Sequence, residues 1–164
     1  MKTHSFCKLL LSATLATSAA ICLAQTATPS TATTTVASAA PMTVANAPAK
    51  VTSLLKIDEV IGTGAEATRG LYIDVHYTGW LYDPKAADKH GAKFDSSRDS
   101  GRPLTFQLDA RNVIRGWDMG VNGMKVGGKR TLIIPGYLAY GPKGSNSIPP
   151  NATLIFDVEL MDVK

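Results

Sequence analysis

The sequence predicts an α+β domain: a bent antiparallel β-sheet of about five strands wrapped around one short α-helix. Three observations carry that expectation. Two segments alternate with period two, three more apolar runs are bounded by turn residues, and only one stretch has helical spacing. Leu71, Ile73, Val75 and Tyr77 alternate with Tyr72, Asp74 and His76, as in a strand with one face on a core, and Leu154, Phe156, Val158 and Leu160 repeat the pattern. Residues 51–57, 104–108 and 129–135 supply the remaining strands, each bounded by Gly, Pro, Asp or Asn. The helix rests on Val113, Trp117, Val121 and Met124, which recur every three or four positions. Gly116, Gly120 and Gly123 dilute its propensity, so it survives only by tertiary packing.

Composition divides the 164 residues into three parts. Residues 1–24 open on Lys2 and Lys8, run apolar from Leu9 through Ile21, contain both cysteines, Cys7 and Cys22, and have no acidic residue. This reads as a signal peptide cleaved near Ala24, too short and mild for a bilayer-spanning helix. A retained anchor, or lipidation at Cys22 despite the bulky Ile21 before it, is the competing reading. Residues 25–49 hold 8 Ala, 7 Thr, 3 Pro and 2 Ser with no charged or aromatic residue, which reads as a disordered linker. Residues 50–164 carry every acidic side chain and all the aromatic residues but Phe6, and form the domain. No long amphipathic pattern offers a zipper, so a monomer is expected. The formal net charge is +4, of which Lys2 and Lys8 supply two, and no Lys/Arg stripe exists to meet nucleic acid or an anionic membrane.

Familiar chemical motifs fail. In Gly123–Arg130 the Gly128-Lys129 pair mimics a phosphate loop, but Arg130 stands where a Ser or Thr would hold magnesium. Gly62, Gly64 and Ala67 match a relaxed dinucleotide fingerprint with no helix to follow, so they read as a turn. His4, His76 and His90 lack metal-ligand spacing, and no nucleophile-elbow Ser is present. No cofactor or metal is expected. What remains is a set of aromatics near loop residues, several of them core and several placed to rim an apolar pocket.

Six strings then carry a resemblance: Val75-His76-Tyr77-Thr78-Gly79, Lys93-Phe94-Asp95-Ser96-Ser97-Arg98, Val113-Ile114-Arg115-Gly116-Trp117, Ala139-Tyr140-Gly141, the run from Ile148-Pro149-Pro150 to Leu154, and Phe156 to Leu160. In this order they resemble an FKBP-type peptidyl-prolyl cis/trans isomerase, here an exported form with one folded domain. The resemblance implies catalysis at Tyr77, Phe94, Asp95, Trp117, Tyr140 and Phe156, with substrate contacts at Val113, Ile114, Ile148 and Leu104. Trp117 would be the pocket floor, Tyr77, Phe94 and Phe156 its walls, and the Ile114 N–H and Tyr140 hydroxyl would hold peptide carbonyls. Asp95 has two readings, a rim residue for the substrate or an acceptor for the Tyr77 hydroxyl.

The resemblance implies proline-containing peptides and unfolded exported proteins as substrates, macrolide inhibitors as pocket ligands, and a periplasmic or secreted location. A non-catalytic peptide-binding or chaperone module with the same pocket is the alternative. Leu104 stands where the family often has Phe, Asn112 where it has an acidic residue or Gln, and Ser100 where a basic residue occurs, which thins the rim. The stretch from Tyr82 to Ala92 is longer than in compact relatives, and it is expected to alter which peptides reach the pocket.

Overall fold

The structure, a computed structural model, describes residues 43–164; the signal peptide expected over 1–24 and the linker as far as residue 42 lie outside the described residues. Among the described residues six strands form one antiparallel sheet: β1 (Leu55–Val60), β2 (Tyr72–Tyr82), β3 (His90–Ser96), β4 (Leu104–Gln107), β5 (Lys129–Ile134) and β6 (Leu154–Val163). Their order is β1-β5-β6-β2-β3, with β4 also on β2. The 11-residue β2 pairs along its length with β6, while on its other edge β4 takes Tyr72 to Val75 and β3 takes Thr78 to Tyr82. Register shifts between Gly79 and Trp80 and again before Tyr82 mark irregularities within the β2–β3 pairing.

The helix, α2, spans Arg115–Val121 and lies on the inner face of the sheet. Its glycines are there for proximity: a Cβ on Gly116 would sit 2.3 Å from Ile134 Cγ2, and one on Gly120 2.7 Å from Leu132 Cδ1. The residues that weaken the helix in isolation are therefore those that let it lie against β5. Trp117, Val121 and Met124 join Ile73, Val75, Leu132, Ile134 and the alternating residues of β6 in the inner core. Arg130 Nη1 donates to the Gly120 carbonyl at 2.7 Å, satisfying an acceptor near the helix C-terminus.

The expected antiparallel sheet and short helix are present, and three details add to them. The sixth strand is β3, which begins inside the stretch from Tyr82 to Ala92; His90 to Lys93 lacks apolar alternation because an edge strand buries little. Beyond it, Ser97–Ser100 form a one-turn helix, α1, in which the Ser96 hydroxyl accepts from the Arg98 N–H and Gly101 ends the turn at φ 68°. Finally, the segment read as linker does not stay free up to residue 49. Val44–Asn46 form a 3-10 turn, Ala47 is 8% exposed, and Val44, Ala47 and Val51 pack with Ile57, Ile133, Ile155, Trp80 and Tyr82 on the outer face. The Tyr82 hydroxyl donates to the Pro48 carbonyl at 2.6 Å. A few apolar side chains among Ala and Thr are enough to dock because β5 and β6 leave Ile133 and Ile155 uncovered on that side.

Candidate active site

Four strands, the helix and two loops contribute to one cavity of about 410 Å³ on the inner face. β2 brings Tyr77, β3 brings Phe94 and Asp95, and β4 opens on Leu104; the chain entering α2 brings Asn112, Val113 and Ile114; α2, the Gly/Pro loop and β6 supply Trp117, Tyr140 and Phe156. Nine of the ten positions expected from the sequence thus meet around one space. Ile148 does not. It is 7% exposed and belongs to the inner core, because paired backbone bonds with Ser145 close a tight turn that points it inward. Asn112, expected only as a position that thins the rim, also lines the cavity. Residues 84–92, expected to alter which peptides reach the pocket, are not among its lining: the turn closes through Asp83 and Lys89, and the His90 ring packs against Trp80.

Trp117 is the buried base of this cup, 3% exposed. Tyr77 meets its ring edge-on at 4.9 Å and Phe156 does so at 5.4 Å, while Phe94 stands at 89° to Phe156 at 5.6 Å. These near-perpendicular contacts fix three ring orientations at once. Gly79 makes them possible, since a Cβ there would lie 2.7 Å from both Phe94 Cζ and Phe156 Cε1. The indole Nε1 is buried with no hydrogen-bond partner among the described residues, in surroundings made of aromatic faces.

The polar groups sit on the wall. Tyr77 donates its hydroxyl to Asp95 Oδ2 at 2.5 Å. Burial, and then that bond and the Asp95 charge, hold the Tyr77 pKa far above the ordinary tyrosine value. Burial first and Asp95 second also raise Tyr140. Both hydroxyls therefore keep their protons, but only Tyr140, 39% exposed and without a hydrogen bond among the described residues, is open to an incoming acceptor. Ile114 caps α2 from an extended conformation (φ −61°, ψ 146°), where a backbone N–H has no intrahelical acceptor. Among the described residues no group of three or more His, Cys, Asp or Glu could hold a metal ion.

The result is an aromatic cup with hydroxyl and backbone N–H donors at its edge, the class of concave, largely apolar space that takes a small ligand. Residues 64–161 match the family model of the FKBP-type peptidyl-prolyl cis-trans isomerases. An FK506-binding protein of Neisseria meningitidis serogroup A is 52% identical over 112 residues, covering 68% of this chain and 96% of the relative. FK506-binding protein 1 of Aspergillus oryzae is 48% identical over 105 residues, 62% of this chain and 90% of the relative. Of solved structures, FkpA from Escherichia coli superposes with a TM-score of 0.60 at 44% identity over 69% of this chain, which spans only 49% of FkpA. AtFKBP13 gives 0.57 at 41% identity, with 68% of this chain and 93% of that one covered. The chain belongs to the FKBP-type peptidyl-prolyl cis-trans isomerase family, and it is such an isomerase, acting on proline-containing peptides.

Proposed function

We propose that isomerisation takes place over Trp117 and that its substrates are X-Pro bonds of exported proteins that are still folding. The observation that supports the site is the meeting of Tyr77, Phe94, Asp95, Trp117, Tyr140 and Phe156 around one cavity. Rotation about an X-Pro amide takes tens to hundreds of seconds because the C–N bond must lose its partial double-bond character. The twisted amide has less charge separation than the planar one, so a dry aromatic cup favours it more than water does. No bond forms or breaks and no proton must move. In this reading the prolyl ring rests on Trp117 between Phe94 and Phe156, and the Tyr140 hydroxyl and Ile114 N–H donate to carbonyl oxygens of the peptide. Asp95 acts on Tyr77, as an acceptor that fixes the wall. Macrolide inhibitors compete for the same space.

The basic start and uncharged run of residues 9–21 support export to the periplasm or the exterior, and the protein works there as a monomer. Mass spectrometry of the exported protein is expected to find Gln25 at its N-terminus; an intact Met1, or a lipid on Cys22, contradicts that. For the site, the test is the cis/trans exchange rate of X-Pro-Phe and X-Pro-Leu peptides by NMR. Exchange far above the uncatalysed rate, suppressed by a competing macrolide, is the expected result. Saturable peptide binding with no added exchange would leave a holding module instead.

A further inference from the structure

We infer that Arg102 selects substrates, favouring peptides with an acidic side chain next to the proline; this rests on the reading that the cavity over Trp117 is the catalytic site. A second concavity of about 600 Å³ adjoins that cavity, and the two share Tyr77, Asp95 and Leu104 as their common wall. A peptide whose proline occupies the first has its neighbouring side chains within reach of the second.

The far side of this second space runs from Ser96 to Pro103 and carries charges of both signs, so its preference depends on which of them are already engaged. Asp95 accepts from Tyr77. Both carboxylate oxygens of Asp99 lie 2.9 Å from Lys93 Nζ. The nearby Arg98 pairs with Glu159. Arg102 is exposed, lines the space, and makes no ion pair among the described residues. The Tyr77 hydroxyl brings no positive charge to Asp95, which stands on the shared wall; on the far side the one charge in no ion pair among the described residues is the Arg102 guanidinium, which suits a carboxylate geometrically as well as electrically.

The backbone at Arg102 is constrained from both sides. Gly101 ends α1 in the left-handed region and Pro103 follows immediately, which restricts Arg102 to extended conformations. Its N–H is directed to the Ser100 hydroxyl, 3.4 Å away.

The test compares catalysed exchange of peptides carrying Glu, Leu or Lys on either side of the proline, using the exported protein at low salt. A Glu-to-Lys rate ratio of about two to five is expected, the size of a solvent-exposed ion pair. It should shrink toward one as salt is added. Arg102→Glu should invert the ratio and Arg102→Lys should largely retain it. A ratio unmoved by Arg102→Glu, in a protein that still accelerates the Leu peptide, overturns the assignment and leaves the catalytic site standing. If the wild-type protein fails to accelerate even the Leu peptide, the catalytic reading fails and this inference falls with it.

Discussion

The two faces of the sheet are built from the same strands and end in opposite states. On the outer face Ile57, Ile133 and Ile155 are sealed by the docked residues 44–51 and by Trp80 and Tyr82. On the inner face α2 covers Leu132 and Ile134 closely, yet Trp117, Phe94, Phe156 and Tyr77 still line an open cavity. The polar groups differ in the same sense. On the outer side Thr131 is fully buried and its hydroxyl lies 3.0 Å from Glu59 Oε1 and 2.8 Å from Asp157 Oδ1, so it has partners within the fold. On the inner side Tyr140 has no internal partner among the described residues. The proposed site lies on the inner face, and substitutions on the two faces should separate stability from activity accordingly.

The largest effect belongs to Trp117→Ala, which removes the part of the cup that is also core. About 3–5 kcal/mol of stability is expected to be lost, read from the urea midpoint, and activity with it. Gly79→Ala should follow at about 1–3 kcal/mol, because the new methyl must displace Phe94 and Phe156, and its catalysed exchange should fall more than its stability suggests. On the outer face, Tyr82→Phe deletes the bond to Pro48 and should cost about 1 kcal/mol in denaturation while leaving exchange unchanged. An activity loss there would mean that the two faces are coupled.

How much of this was legible beforehand followed from periodicity. β2 and β6 alternate cleanly because one of their faces is core, and the helix showed itself through Trp117 and Val121 one turn apart. β3 was hidden, since an edge strand of His90, Gly91, Ala92 and Lys93 has no buried stripe to reveal it. The docking of residues 44–51 was hidden for a different reason: it depends on a vacancy over Ile133 and Ile155, a property of the assembled sheet and not of the segment. Nine of the ten residues implied by the family resemblance line the cavity over Trp117. Ile148 lies in the core instead, because a tight turn decides which way its side chain points.

The smallest effect is that of pH. With Tyr77 and Tyr140 both raised above the ordinary tyrosine value, their hydroxyls stay protonated through neutrality and beyond, and the proposed chemistry transfers no proton. Catalysed exchange should be flat from about pH 6 to 9. A bell-shaped profile in that range would place a titrating acid or base in the reaction and remove the distinction between a cup that shapes and a site that reacts.

The most direct measurement is the catalysed cis/trans exchange of an X-Pro-Phe peptide in Phe94→Ala beside Tyr82→Phe, each first shown to be folded by circular dichroism and peptide NMR. Phe94 is half-buried, so its loss should leave a folded protein while stripping one wall of the cavity. A fall of about tenfold or more in Phe94→Ala, equivalent to about 1.4 kcal/mol of transition-state stabilisation, with wild-type exchange in Tyr82→Phe, is the predicted result. Full activity in folded Phe94→Ala would contradict the account, since the aromatic cup would then not be where the amide turns.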